Sequence, residues 1–220
     1  KPVVAGLVDE VEADAAIIGA VNNVVRADDG RLIGINTDAP GFRVGAERAM
    51  GRPLAGSQVV VAGAGGAARA VVYALLVAGA ARVVVGNRAI AGAQALAVRF
   101  AAIGARPPEA TVLGDRVLHA ALATADLAVN ATTVGMLHPG MTMPVDLLPT
   151  HATVFDLVYV PQETPLLSAA RARGLRAANG SEMLIAQAAI AFERWTGVGG
   201  MDDVMRTAVA PLLTDPTVVA

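Results

Sequence analysis

The stretch VVVAGAGGAARAVVYALLVAGA, residues 59–80, constrains this chain more than any other. A β-branched run, a glycine-rich turn and an Ala/Leu-rich segment follow without a break, which predicts strand, tight turn and helix. Gly79 closes the helix, and ARVVVGNR at 81–88 supplies a second strand. Such a βαβ unit takes a right-handed crossover and commits the chain to a parallel sheet covered by helices. Within it, Gly63, Gly65 and Ala68 match the pattern G-x-G-x-x-G/A. Gly63 permits the tight turn, Gly65 lets a pyrophosphate approach the backbone, and Ala68 allows close packing of helix on strand. A plain glycine turn carries the same triplet, but the strand-to-helix context favours a dinucleotide. Gly63, Ala64, Gly65, Gly66 and Ala67 are therefore candidate cofactor-binding residues.

The end of the second strand distinguishes one dinucleotide from another. NAD enzymes place an acid there to accept hydrogen bonds from the ribose hydroxyls, and an acid would repel a 2′-phosphate. This chain has Asn87 and Arg88 instead. A guanidinium pairs with a phosphate and an amide donates to it, so NADP is expected as the cofactor, with NAD as the alternative.

Composition narrows the rest. The 220 residues are 55% hydrophobic but only 3% aromatic, so the core must be made of Ala, Val and Leu, the stock of buried parallel strands. A net charge of −2 with scattered Lys and Arg offers no basic groove, which argues against nucleic acid as a partner. The absence of cysteine excludes disulfides and thiolate metal sites and fits a reducing cytoplasm. His119, His138 and His151 lack metal-ligand spacing, so no metal is expected. No apolar run approaches the roughly 18 residues that span a bilayer, so no membrane partner is expected either.

The βα alternation continues through a helix over 90–103, a weak strand at ATVLG, a helix around 116–124 and a strong strand, DLAVNAT. TTVGMLHPGMTMP then reads as an irregular loop at the carboxyl end of that strand, where open α/β sheets bind ligands. TVFDLVY is a further strand, TPLLSAARARG a helix capped by Thr164 with Pro165 at its first position, and LRAAN a last strand. The expected fold class is α/β: a Rossmann-like, doubly wound parallel sheet of six strands spanning 41–180. Residues 1–40 hold a helix-like VDEVEADAAII and two short apolar runs joined by Asp28-Asp29-Gly30, a hairpin signal. Residues 181–220 hold the amphipathic SEMLIAQAAIAFERWTG and a second helical segment, MDDVMRTAVAPLL. Head and tail are expected to form part of a second, smaller α/β domain that binds substrate.

Seven segments in order carry a resemblance over nearly the whole chain: IGAVNNVV, GINTDAPGF, VAGAGGAARAV, NR, NATTVGM, DLVYVPQETPLL and GSEMLIAQAAIAFERWTG. The chain resembles the shikimate dehydrogenases. That resemblance implies NADPH-dependent reduction of the ketone of 3-dehydroshikimate, with a Lys and an Asp acting from the substrate domain. The Asp of N-T-D-x-x-G-F lands on Asp38. The Lys that ends N-V-T-x-P-x-K lands on Lys1, because Asp9-Glu10 and Ile18-Gly19-Ala20-Val21-Asn22 follow in matching register. Hydride transfer to a ketone makes an alkoxide that needs a proton donor, and a lysine ammonium supplies one when a carboxylate orients it. On the residues alone, Asp38 could merely cap a turn at Gly41-Phe42.

The resemblance further implies that Asn22 and Gln187 bind hydroxyls of a small polyol acid, with Tyr159 beside them. It places Asn130, Thr132 and Met183 on the nicotinamide side. Hairpin geometry, a solvent-facing helix position and core packing are the plainer readings of Asn22, Gln187 and Met183. The chain departs from the family at Ala89 and Gly92, which thin the phosphate clamp, and at Asn23, where Thr is common. The family's S-x-S pair and N-V-T segment do not appear ahead of Lys1. Activity is therefore expected only with such a segment present. Quinate or aminoshikimate dehydrogenase, or a non-catalytic ligand sensor, are the alternative functions; a monomer or a homodimer fits equally.

Overall fold

Alternation along each central strand builds two cores at once. The computed structural model describes residues 4–136 and 140–214; Lys1 and His138 lie outside them. The head contributes β1 (Glu10–Val11), α1 (Ala13–Ile18), β2 (Asn23–Arg26) and β3 (Leu32–Ile35). α2 (Asp38–Met50) leads out of it. There follow β4 (Gln58–Ala62), α3 (Gly66–Val77), β5 (Arg82–Asn87), α4 (Ile90–Arg99), β6 (Glu109–Val112), α5 (Arg116–Leu122) and β7 (Leu127–Asn130). The chain continues through β8 (Thr153–Asp156), α6 (Pro165–Ala172), β9 (Arg176–Asn179), α7 (Ser181–Thr196) and α8 (Asp202–Thr214).

The larger sheet is six-stranded, in the order β6-β5-β4-β7-β8-β9, with every neighbour parallel. This is the doubly wound Rossmann arrangement expected from the βα alternation. In β4, Val59 and Val61 pack into one core with α3 and α4, while Val60 and Ala62 pack into the other with α5 and α6. The two-residue period of a strand sends successive side chains to opposite faces, so a run of four apolar residues is what a strand covered on both faces requires. The order reverses between β4 and β7, and the crevice at their carboxyl ends is where such sheets bind ligands.

The smaller sheet has the order β1-β3-β2. The Asp28-Asp29-Gly30 signal does produce a hairpin, with Arg26 opposite Leu32 and Asn23 opposite Ile35. The helix-like start is shorter than expected: Glu10 and Val11 pair with β3, and only Ala13–Ile18 is helical. Arg99 Nε donates to the Ile17 carbonyl at 2.7 Å, joining the end of α4 to α1.

α2 is the main departure. Residues 38–50 carry no clear helical pattern, and Gly41-Phe42, where the plainer reading of Asp38 puts a turn, lie inside the helix. Pro40 is tolerated because it falls in the first turn, where its missing N–H costs no intrahelical bond. Phe42 is fully buried and meets Phe155 edge-to-face, ring centroids 5.7 Å apart. Gly41 and Gly45 serve the crossing with α7: a Cβ on Gly41 would stand 2.8 Å from Gln187 Cβ, and one on Gly45 3.0 Å from the Met183 nitrogen. Among the described residues, no helix is long and apolar enough to cross a membrane.

Candidate active site

The hairpin brings the first group of polar residues together. Because Asn23 is opposite Ile35, the residues just before β2 and just after β3 meet at one end of the small sheet. Asn22 Nδ2 lies 2.9 Å from Asp38 Oδ1 and 3.0 Å from Thr37 Oγ1, and Asn22 Oδ1 accepts from the Thr37 backbone N–H at 2.9 Å. Asn23 Nδ2 donates to the same Thr37 hydroxyl at 2.9 Å. Asp38 is 6% exposed and is the first residue of α2, where the helix dipole favours a carboxylate. From α7, Gln187 Oε1 sits 3.4 Å from Asn22 Nδ2, placed there by the glycine contacts of α2.

These residues line a cavity of about 470 Å³ whose other wall is apolar, formed by Phe192, Trp195 and Met205. One polar wall rich in donors and acceptors and one apolar wall suit a small ring bearing hydroxyls on one side. Gln187 also lines a second, larger cavity of about 800 Å³.

The larger cavity lies at the carboxyl ends of β4, β5, β7 and β8. Gly63, Ala64, Gly65, Gly66 and Ala67 line it, with Asn87, Arg88, Thr132, Tyr159 and Met183. Gly63 has φ +108°, and a Cβ there would stand 2.9 Å from the Ala131 carbonyl oxygen, so only glycine fits. Gly65 is different: its φ of −81° suits any residue, yet a Cβ would meet nothing within 4 Å. The space over Gly65 is a cradle at the amino terminus of α3, whose N–H groups and dipole suit a phosphate. Arg88 is exposed and makes no ion pair among the described residues. Asn87 Nδ2 spends one hydrogen on the Ala89 carbonyl at 2.9 Å, and Gly92 leaves room for that amide.

Two assignments fall differently from expectation. Asn130 is 1% exposed and does not line the cavity. Its Nδ2 donates to Asp156 Oδ1 at 2.8 Å and to the Val134 carbonyl at 3.1 Å, and its oxygen accepts from Thr132 N and Oγ1. Tyr159 lies in the larger cavity and not with Asn22 and Asp38. Sequence reasoning passed over Thr37, the apolar wall of Phe192 and Trp195, and Asp156. The spacing of Gln187, Ala191 and Trp195, four residues apart on α7, was the available signal for that wall. Asp156 is fully buried; desolvation pushes its carboxyl above the usual range, opposed by hydrogen bonds from Thr164, Val158 and Asn130.

The six-stranded order, the glycine cradle at a helix amino terminus and the cavity at the strand ends define a dinucleotide-binding protein of the Rossmann type. Relatives make it narrower. Residues 45–143 match the family model for shikimate/quinate 5-dehydrogenase, and residues 180–210 match that for the shikimate 5′-dehydrogenase C-terminal domain. The chain is 44% identical over 218 residues to the shikimate dehydrogenase (NADP⁺) of Symbiobacterium thermophilum, covering 97% of this chain and 73% of that one. It is also 44% identical over 201 residues to the quinate/shikimate dehydrogenase (NAD⁺) of Corynebacterium efficiens, covering 90% of this chain and 69% of that one. Among solved structures, quinate dehydrogenase from Corynebacterium glutamicum in complex with NAD superposes with a TM-score of 0.87 at 38% identity, covering 96% of this chain and 74% of that one. The chain belongs to the shikimate/quinate dehydrogenase family, NAD(P)-dependent oxidoreductases acting on a CH–OH group.

Proposed function

We propose that this chain carries the machinery for NADP-dependent, reversible reduction of 3-dehydroshikimate to shikimate. The observation that carries the reading is the shared wall: Gln187 borders both cavities, so a ring held by Asn22, Asp38 and Gln187 lies next to a cofactor held at Gly63–Ala67. The cofactor, when bound, supplies the hydride. Gly65 leaves room for its pyrophosphate, the amino terminus of α3 offsets the phosphate charge, and Arg88 pairs with a 2′-phosphate. Tyr159, Thr132 and Met183 border the nicotinamide end. Asp38, fixed by Asn22, orients the substrate hydroxyl and the Lys1 ammonium, and Lys1 gives the proton to the oxygen that hydride transfer leaves charged. Thr37 holds Asn22 and Asn23 in place and so sets the polar wall.

We assign residues 1–40 and 181–220 to the substrate side and 41–180 to the cofactor side, with α2 crossing the first boundary. The protein is read as cytoplasmic, acting on a small polyol acid as a monomer or homodimer. A quinate dehydrogenase with NAD is the second reading. One guanidinium at the end of β5, that of Arg88, with part of the Asn87 amide spent on Ala89, favours only a modest preference for NADP. Titration of the chain with NADPH and NADH, followed by nicotinamide fluorescence, tests the reading. NADPH is expected to bind more tightly by about 1–2 kcal/mol, one charge-assisted pair. Failure to bind either would remove the assignment.

A further inference from the structure

Asp156 is a fully buried carboxylate that touches neither cavity. It ends β8 directly opposite Asn130, which ends β7. Its Oδ1 accepts from Asn130 Nδ2 at 2.8 Å and from the Val158 N–H at 3.1 Å, and its Oδ2 accepts from Thr164 Oγ1 at 2.7 Å. Beyond Asn130 the chain turns back on itself. Asn130 binds Thr132 and the Val134 carbonyl, and Thr132 Oγ1 accepts from the Val134 N–H at 3.1 Å. Thr132 and Val134, beyond β7, form one wall of the larger cavity, and Val158 and Tyr159, beyond the neighbouring β8, form another. Thr164 meanwhile caps α6 through the Leu167 N–H.

We infer that Asp156 is a positioning residue of the cofactor site, a buried strut that fixes the spacing and orientation of these two walls. The inference rests on the dinucleotide reading of the larger cavity. The physical reason is that a carboxylate is an acceptor on both oxygens. It gathers three donors from three different segments, where an apolar side chain would leave Asn130, Val158 and Thr164 with unpaired buried donors. The same reasoning explains why Asn130 does not face the cavity: its two hydrogens and its oxygen are all committed to holding the wall. A ligand between the walls then feels Asp156 without touching it.

The test compares NADPH affinity, by fluorescence titration well below each melting midpoint, with thermal stability for the parent chain and four variants. Asn130→Ala releases the 130–134 wall, and its NADPH Kd should rise about tenfold, the equivalent of one hydrogen bond to a charged group. Asn130→Asp sets two carboxylates against each other and should weaken binding at least as much. Asp156→Asn keeps an acceptor at Oδ1 for Asn130 and Val158 and turns its amide to Thr164 Oγ1, so its NADPH Kd should stay within about threefold of the parent. Phe100→Ala is the structural control: it should lower the melting midpoint and leave NADPH affinity within about twofold, because Phe100 packs on Tyr73 in the core and lines neither cavity. Folded Asn130→Ala with the parent's affinity, or Asp156→Asn binding NADPH as weakly as Asn130→Ala, would overturn the inference while leaving the functional reading intact. A parent chain that does not bind NADPH would overturn both.

Discussion

Replacing Gly65 by valine separates the cofactor cradle from the fold that makes it. The backbone at Gly65 has φ −81° and ψ −167°, a conformation open to any residue. A Cβ meets nothing within 4 Å, so neither strain nor a protein clash opposes the change. Folding stability should therefore stay within about 0.5 kcal/mol of the parent, as for substitutions away from special features. The branched side chain instead fills the space over the first turn of α3. Pyrophosphate then loses close approach to the N–H groups of about two residues there. Each hydrogen bond to a charged group contributes about 1.5–3 kcal/mol, so NADPH affinity should fall by about 3 kcal/mol or more, at least a hundredfold. Gly63→Ala is the contrast. Its φ of +108° and the carbonyl oxygen of Ala131 at 2.9 Å predict a stability loss of about 1–3 kcal/mol. Paired thermal melts and NADPH titrations read both effects. A Gly65→Val protein that unfolds, or that binds NADPH as the parent does, would refute this reasoning.

Other outcomes follow from the same geometry. Arg88→Ala should weaken NADPH about tenfold, about 1.4 kcal/mol for one charge-assisted contact, and leave NADH unchanged in parallel titrations. Gly41→Ala should cost about 1–3 kcal/mol by overpacking the α2 and α7 crossing, read by chemical denaturation, because the added carbon meets Gln187 Cβ at 2.8 Å and the Met183 carbonyl oxygen at 3.0 Å. Arg82 holds Glu109 through two bonds of 2.8 Å and lowers its pKa from the usual 4.5. A depressed acid stabilises the fold above its unfolded pKa and loses that contribution as pH falls through the folded value. Glu109→Gln should therefore flatten part of the acid limb of the stability curve below about pH 4.5, by less than 1 kcal/mol for so exposed a pair.

What could be read from the sequence was whatever local pattern decides. The β4-α3-β5 unit announces itself because strand, glycine turn and helix are contiguous, and the hairpin because Asp28-Asp29-Gly30 leaves a turn little choice. α2 was hidden for the opposite reason. Pro40, Gly41 and Gly45 are poor helix formers in isolation, and two of them are there for the close approach of α7, a contact well over a hundred residues away in sequence. The resemblance puts Asn130 on the nicotinamide side without saying which way it points, and a polar residue ending a central strand can turn toward the ligand or toward its neighbour. A buried carboxylate at the same level of β8 decides the matter, and pairing between two strands is invisible to a one-dimensional reading. Asn22, Asp38 and Gln187 are candidates by resemblance alone, and their meeting point comes from the hairpin register and the glycine-packed helices.

The measurement that most directly tests the central claim is steady-state oxidation of shikimate with NADP⁺. It would follow the reduced nicotinamide by absorbance, in protein joined to the segment that precedes the lysine in the family. Asp38→Asn is isosteric and leaves Asn22, Thr37 and Gln187 in place. It should keep NADPH affinity within about twofold of the parent while kcat falls about 10²-fold or more, the scale of losing a component of proton transfer. Full turnover by Asp38→Asn would contradict the account and place the chemistry elsewhere in the molecule.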